Sequence, residues 1–162
     1  MIIFGIDPGI ARVGWAVIQD DKGKQKALAY GCITTEQSAL PENRLLSIHQ
    51  MLCNLFKKYS PDCASIEDLF FATNAKTAMS VGQARGVILL TAAACGIPVV
   101  SYTPLAVKRT ITGNGKAEKM QVQRMVTRIL RLSQIPKPDD AADALALALT
   151  HAFSYKLRRS LQ

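Results

Sequence analysis

The chain has 162 residues, the size of a single domain. Hydrophobic residues make up 49% of it and charged residues 20%, a balance that supports one packed core and argues against intrinsic disorder. Lys and Arg outnumber Asp and Glu by 20 to 12, which gives a net charge of +8. This excess indicates a polyanionic partner such as nucleic acid, or else it serves only solubility.

The residue types of the chain argue against zinc-binding, triad-hydrolase and membrane proteins. Cys32, Cys53, Cys63 and Cys95 follow no zinc-binding spacing and no compact disulfide framework. With only two histidines, a Ser-His-Asp triad is not expected. The longest apolar run, 86–100, is shorter than the roughly 20 residues of a membrane span, and the N-terminus lacks a basic leader. We therefore expect a cytoplasmic protein.

Apolar runs and turn residues predict the elements of the first half of the chain. Strands are expected at 2–7, 14–19 and 24–34, followed by a helix at 41–59 and a strand at 63–67. Because only a short turn separates the second strand from the third, the first three strands should form an antiparallel meander.

The second half of the chain is mostly helical in its pattern. Helices are expected at 77–95, 104–111, 117–132 and 139–154, with one strand at 97–102 and a short basic tail at about 155–162. The order of elements predicts one α/β domain over residues 1–162, with a five-stranded mixed sheet flanked by helices. That order is three strands, a helix, a strand, a helix, a strand and then helices.

Four carboxylates lie where solvent-exposed charges are not expected. Asp7 and Glu67 each end an apolar strand, while Asp140 and Asp143 share one face of a helix rich in Ala and Leu. The ends of parallel strands converge, so these side chains could meet at one point. We call Asp7, Glu67, Asp140 and Asp143 the acidic cluster.

An acidic cluster of this kind needs neutralisation. Its members would repel and raise one another's pKa unless cations compensate them, and ligands that are all oxygen favour Mg²⁺ or Mn²⁺. Two such ions about 4 Å apart can promote phosphodiester hydrolysis, which would also account for the basic charge. Structural roles are the alternative: Asp7 lies in an Asp-Pro-Gly turn, and Asp140 would be favoured by the helix dipole.

Five motifs spread along the chain resemble one known family. They are GIDPG with Gly14 and Trp15, SIEDLF with Asn74, GQARG at 82–86, GNGKAEKMQV at 113–122 and DAADALALALTH at 140–151. Together they resemble the RuvC Holliday-junction resolvases of bacteria. The resemblance implies an RNase H-like fold, a homodimer, and Mg²⁺-dependent nicking of two junction strands in DNA recombination and repair.

The resemblance also implies residue roles and partners. The acidic cluster would supply the catalytic and metal-binding acids, with two Mg²⁺ ions per site and Mn²⁺ able to substitute. Lys108 and Lys119 resemble basic positions near the site, and Phe70 resembles an aromatic residue that inserts at the junction centre. RuvA and RuvB are the implied branch-migration partners. Two positions depart from the family: Ile10 replaces a small hydroxyl residue, and Thr73 stands where Lys is expected.

The basic and aromatic residues support DNA binding on physical grounds as well. Lys108, Lys116 and Lys119 flank a loop containing Gly113 and Gly115, where backbone could approach phosphates closely, although a solvated basic face is the alternative. Phe70 follows the strand ending at Glu67, and an aromatic ring exposed there could stack on bases, whereas a core position is the alternative.

A homodimer suits a junction with approximate two-fold symmetry, because resolution needs two matched nicks. Ala78, Gly82 and Gly86 lie at four-residue spacing on the helix at 77–95 and would allow another helix to approach closely. We predict that this face forms the dimer interface.

Three other functions are alternatives to junction cleavage. An ATP-binding protein of the actin and sugar-kinase superfamily has a similar first phosphate loop, but it needs two related domains and this chain has the length of one. An RNase H-like nuclease acting on RNA precursors would share Asp7 but need not share GQARG. A non-catalytic relative that binds nucleic acid would be expected to lose at least one of the four acids.

Overall fold

The computed structural model describes residues 1–68 and 75–160. Within them the strands are β1 (Ile2–Asp7), β2 (Arg12–Asp21), β3 (Lys24–Thr34), β4 (Cys63–Glu67) and β5 (Val99–Tyr102), and the helices are α1 (Pro41–Tyr59), α2 (Ala75–Ala94), α3 (Pro104–Thr112), α4 (Lys119–Ile129) and α5 (Asp139–Ser160). The predicted order of three strands, helix, strand, helix, strand and then helices is confirmed.

The strands form one sheet in the order β3-β2-β1-β4-β5. The three N-terminal strands pair antiparallel, whereas β4 runs parallel to both β1 and β5. The predicted meander and the predicted five-stranded mixed sheet are therefore confirmed. The parallel pairing of β1 with β4 brings the C-terminal ends of both strands to the same edge of the sheet.

Several predicted boundaries were wrong, including those of α2 and α4, and three elements differ for identifiable reasons. Strand β2 is longer at both ends, because its ladder with β3 runs from Arg12 to Asp21. Strand β5 begins after Pro98, which lacks the N–H group that a ladder needs. Helix α5 continues through Ser160, so most of the predicted basic tail is helical; no Gly or Pro follows Ser154 to end it.

The core is divided between the two faces of the sheet. Helices α1 and α2 cover one face, around Phe4, Ile48 and Ile88, and helices α3, α4 and α5 cover the other, around Ile3 and Leu145. Helix α5 is the most deeply buried of these helices over residues 144–150. No helix in the described parts of the chain is long and apolar enough to cross a membrane.

Two glycines allow α5 to lie directly on the sheet. A side chain at Gly5 in β1 would overlap the backbone carbonyl of Ala144, and one at Gly14 in β2 would overlap the carbonyl of Asp140. Close backbone contact of this kind is a use for which only Gly is suited. Gly14 also pairs with Asp7 across the β1–β2 ladder, so the start of α5 is held beside the end of β1.

Candidate active site

The acidic cluster is assembled by the two parallel strand ends and the first turns of α5. Ile6 of β1 pairs with Ile66 of β4, so Asp7 and Glu67 follow side by side at one edge of the sheet. The backbone contact of Gly14 with Asp140 brings α5 to the same edge. The structure therefore brings together all four members that were predicted from separate parts of the sequence.

Burial and mutual repulsion dominate the electrostatics of the cluster. Burial and the charges of Glu67, Asp143 and Asp140 together raise the pKa of Asp7 to about 8, although Lys119 lowers it. Burial and the charge of Asp143 likewise raise the pKa of Glu67. The pKa of Asp143 is raised, chiefly by burial. Without added cations, the cluster thus favours bound protons over full ionisation.

Lys119 is the main cation of the protein beside these acids. Its Nζ lies 2.7 Å from both Asp139 Oδ2 and Asp143 Oδ2. Partial burial lowers the pKa of Lys119, but the hydrogen bonds it donates to Asp139 and Asp143 outweigh burial and raise it. The same contact lowers the pKa of Asp139. Lys119 therefore stays charged and joins the start of α4 to the start of α5.

Arg12 is a second cation at the site, and the sequence analysis missed it. Its Nε lies 3.2 Å from Asp140 Oδ2, and its Nη2 lies 3.9 Å from Asp139 Oδ1. Asp140 Oδ2 is buried and accepts no hydrogen bond from the residues that the structure describes. The Arg12 contact is thus a charge contact with poor hydrogen-bond geometry, and this oxygen keeps its capacity to bind a further positive group.

A cavity of about 230 Å³ opens beside the cluster. Its polar lining consists of Glu67, Lys108, Lys119 and Asp143, and its apolar lining comes mostly from α3, α4 and α5. The charge of Lys108 partly offsets the raised pKa of Glu67. Two of the three predicted lysines, Lys108 and Lys119, therefore border the acidic cluster.

The third predicted lysine lies elsewhere. Lys116 lines a neighbouring concave surface together with Arg109, Gly113 and Gly115. Its backbone N–H donates to Asn114 Oδ1 at 2.9 Å, which orders the loop between α3 and α4. This loop forms a separate basic surface next to the acidic cluster.

Other predicted residues fall outside the described residues or away from the site. Phe70, the predicted junction-inserting aromatic, and Thr73 lie outside the residues that the structure describes. Ala78, Gly82 and Gly86, the predicted dimer residues, lie along α2 on the opposite side of the sheet from α5.

Arg85, within the motif GQARG, connects α2 to the strand ends. It donates to the carbonyl of Glu67 at 3.3 Å, to Asp68 Oδ1 at 3.4 Å and to Ser101 Oγ at 2.8 Å. The motif was recognised in the sequence, but nothing there assigned this arginine a role. Its contacts fix the backbone that carries the Glu67 carboxylate.

The donor set suits a hard divalent cation. The acidic cluster offers only carboxylate oxygens, the ligands that Mg²⁺ and Mn²⁺ prefer. Among the described residues, no three His, Cys, Asp or Glu side chains converge on one point as a ready-made metal site. Arg12 and Lys119 each contact one carboxylate of α5. The acidic cluster therefore fits a divalent metal in the kind of ligand it offers.

Comparison with known proteins agrees with the arrangement. The family model for Crossover junction endodeoxyribonuclease RuvC matches residues 3–151. A protein of that name from Syntrophomonas wolfei is 49% identical over 162 residues, covering 100% of this chain and 94% of its own.

Two solved structures extend the comparison to the fold. The Thermus thermophilus RuvC structure has a TM-score of 0.89 and 35% identity, covering 98% of this chain and 97% of that one. T. thermophilus RuvC in complex with Holliday junction substrate has a TM-score of 0.88 and 33% identity, covering 97% and 96%. The expected RNase H-like fold is thereby confirmed, and the chain belongs to the RuvC family of crossover junction endodeoxyribonucleases.

Proposed function

We propose that this protein is a structure-selective endonuclease that resolves Holliday junctions by paired nicks in DNA recombination and repair. Its family membership and its similarity to a RuvC bound to a Holliday junction support this function. The observation that carries the proposal is the acidic cluster, in which three other carboxylates raise the pKa of the buried Asp7. Carboxylates that are buried together oppose folding when they ionise, so their presence beside a cavity indicates chemistry.

Membership of this nuclease family implies dependence on a divalent metal ion in general. We propose Mg²⁺, two ions per site, with Mn²⁺ able to substitute, and the four acids as ligands and catalytic residues. The ions, when bound, would supply an activated water and stabilise the leaving oxygen of a phosphodiester.

The chain's own residues orient the substrate and the acids. Arg85 holds the backbone at Glu67, and the close contact at Gly14 holds Asp140. Lys108 borders the cavity and offers a positive charge to a phosphate beside the acids. Lys119 restrains Asp143 through their ion pair and offers a positive charge beside the acids.

The function is tested with four substrates. The purified protein is incubated with a labelled four-way junction, a linear duplex of the same sequence, a structured RNA and ATP, each with Mg²⁺ and with EDTA. We expect symmetric nicks in the junction alone, and only with Mg²⁺. Preferential cleavage of the RNA, hydrolysis of ATP, or junction binding without cleavage would each support one of the competing functions instead.

Lys108 gives the cleaner test of the proposed phosphate contacts, because Lys119 is engaged with acids. We expect Lys108→Gln to weaken junction binding and to lower the magnitude of the slope of log affinity against log salt by about 1, the value for one lost phosphate contact. Fluorescence anisotropy in EDTA from low to moderate salt measures both quantities. Lys57→Gln, on α1 across the sheet, is the matched control and should leave the slope unchanged. An unchanged slope in Lys108→Gln would mean that this lysine is only solvated.

We also propose that α2 forms a homodimer interface. Met79 and Leu90 on this helix are 76% and 66% exposed, an unusual amount for large apolar side chains. Gly86 is exposed among them, and a side chain added there would meet nothing within 4 Å in the described residues. An apolar face containing small residues permits close approach of a second helix.

Gly86→Glu should separate the proposed dimer. A buried charge at the interface disfavours association, while the isolated fold should tolerate the change, because Gly in a helix costs about 0.5–1 kcal/mol relative to Ala. Sedimentation velocity at micromolar concentration should show a dimer for the wild type and a monomer for this variant. Gln134→Glu, in the exposed loop before α5, adds the same charge and should remain dimeric. A wild-type monomer that cleaves junctions at full rate would contradict the interface.

We propose further that residues 1–162 form a single nuclease domain and that the protein is cytoplasmic. In this proposal Phe70 stacks on bases at the opened junction, Lys116 contacts phosphates, and the protein cooperates with RuvA and RuvB. Exposure of Lys116 beside Gly115 supports the phosphate contact.

A further inference from the structure

A second polar cluster lies where α1 packs on α2, on the sheet face opposite α5. His49 and Cys53 are one turn apart on α1, and Thr91 and Cys95 are one turn apart at the end of α2. His49 Nδ1 lies 2.8 Å from Thr91 Oγ1, and burial together with the neighbouring Cys53 raises the pKa of the Cys95 thiol. Where α1 packs on α2, His49 therefore faces Thr91, and Cys53 faces Cys95 one turn further along.

The hydrogen bonds assign the tautomer of His49. The Thr91 hydroxyl donates its one proton to the carbonyl of Val87 at 2.7 Å, so its oxygen must accept a proton from His49 Nδ1. In the neutral ring, Nε2 then carries the free lone pair. Cys53 Sγ lies 3.8 Å from that nitrogen and 3.9 Å from Nδ1, so it lies beside the imidazole ring, and a rotation of the Cys53 side chain brings its thiol proton to Nε2.

We propose that Cys53 and Cys95 are a reversible disulfide site, oxidised by a low-molecular-weight disulfide, with His49 as the base for Cys53. Cys95 is exposed and Cys53 is half-buried, so an external disulfide reaches Cys95 first. Cys53, next to His49, is then placed to complete the internal bond.

The reaction balances as two thiol–disulfide exchanges. Cys95 loses its proton to solvent, and its thiolate attacks one sulfur of the external disulfide, forms a mixed disulfide and releases one thiolate, which takes up a proton from solvent. Cys53 passes its proton to His49 Nε2 and attacks Cys95 Sγ, which releases the second thiolate, and that thiolate takes the proton from His49. Two protein thiols are oxidised to one disulfide, and one external disulfide is reduced to two thiols.

A disulfide fits this cluster better than a metal site does. Within the described residues, His49, Cys53 and Cys95 do not converge as three ligands of one ion, whereas a disulfide needs only the two sulfurs. Cys63, by contrast, is buried, so an external disulfide does not reach it.

The bond would join α1 to the end of α2 and close a loop over residues 53–95, which contains β4 and all of α2. A closed loop restricts the unfolded chain, so the oxidised protein should melt at a higher temperature, by about 5 °C or more. The cluster lies across the sheet from α5, so oxidation should leave the acidic cluster in place.

The test uses the reduced full-length protein and oxidised glutathione in mildly alkaline buffer, with alkylation of free thiols and peptide mapping by mass spectrometry. We expect a Cys53–Cys95 link, a mass loss of two hydrogen atoms, and a higher melting temperature that dithiothreitol reverses. Cys53→Ser should instead accumulate a glutathione adduct on Cys95. His49→Gln should slow the linking step by about tenfold or more without slowing formation of the adduct. Cys32→Ser is the control and should link like the wild type.

Three results would overturn the proposal. In the first, wild-type protein accumulates a stable glutathione adduct on Cys95 without forming the internal link. In the second, Cys95 links mainly to the same residue of another copy. In the third, His49→Gln links at the wild-type rate, which would remove the histidine from the reaction.

Discussion

Asp7→Asn is expected to abolish junction cleavage and, in metal-free buffer above neutral pH, to stabilise the fold. Cleavage falls because a negative ligand is lost from the acidic cluster. Stability rises because the wild-type carboxylate is buried and repelled by three other acids, so its ionisation opposes folding. Opposite changes in activity and stability are typical of residues retained for function.

The pH dependence follows from the sign of the shift. Burial and repulsion by the other acids raise the pKa of folded Asp7 from 3.8 to about 8, so between these values the folded state binds more protons than the unfolded state. Stability therefore falls as pH rises through this window, and the full cost is present above the folded pKa. Rearrangement of the folded protein around the ionised carboxylate should reduce the free-energy cost of ionising Asp7 to about 2 kcal/mol. At pH values above 8, Asp7→Asn should therefore raise the melting temperature by about 4–8 °C.

Thermal melts in EDTA across this pH range measure the effect. The wild type should lose stability toward alkaline pH, and Asp7→Asn should lose clearly less. Asp21→Asn, at the exposed end of β2, is the matched control and should behave like the wild type. A wild-type melting temperature that rises from pH 5 to 9 would contradict the electrostatic description of the cluster.

Gly5→Ala is expected to cause a large loss of stability, although it adds only one methyl group. The new Cβ would overlap the carbonyl oxygen of Ala144 and lie 3.0 Å from the N of Ala148. Backbone atoms of a buried helix cannot rotate away, so α5 must shift from the sheet. Overpacking typically costs about 1–3 kcal/mol, and we expect the upper end of this range or more.

Urea unfolding followed by circular dichroism measures this loss. Gly86→Ala is the control, because its Cβ meets nothing within 4 Å and Ala favours a helix. It should be neutral or stabilising by up to about 1 kcal/mol. A Gly5→Ala variant as stable as Gly86→Ala would mean that α5 is not seated on the backbone of β1.

The main features of the candidate site could be predicted because they depend on local patterns. Asp7 and Glu67 each end a short apolar strand, and such runs are recognisable without tertiary information. Asp140 and Asp143 share a helix face by spacing alone. Only the parallel pairing of β1 with β4 had to be assumed, and the structure confirms it.

The contacts of the cations could not be predicted in the same way. Arg12 lies in the polar segment before the apolar part of β2, where an exposed position is the ordinary expectation. It meets Asp140 because α5 crosses the sheet at Gly14, and that crossing depends on packing. Lys119 was expected near the site from the family resemblance, but its simultaneous contact with Asp139 and Asp143 depends on how α4 is placed against α5.

The central claim is that the acidic cluster serves metal-dependent cleavage and not folding. Asp143→Asn separates these roles, because it keeps the shape of the side chain and removes its charge. The cluster would lose a metal ligand, whereas in EDTA a phosphodiester beside it would experience less repulsion. The matched control is Asp139→Asn, because Asp139 is exposed and contacts Lys119 without belonging to the cluster.

The decisive measurement is cleavage of a four-way junction in Mg²⁺ by Asp143→Asn, with its junction affinity in EDTA and its melting temperature determined on the same preparation. We predict that cleavage falls by at least about a thousandfold, more than about 4 kcal/mol in the barrier. Affinity should hold or rise, and the protein should remain folded. Cleavage near the wild-type rate, or a loss of cleavage matched by an equal loss of folded protein, would contradict the account.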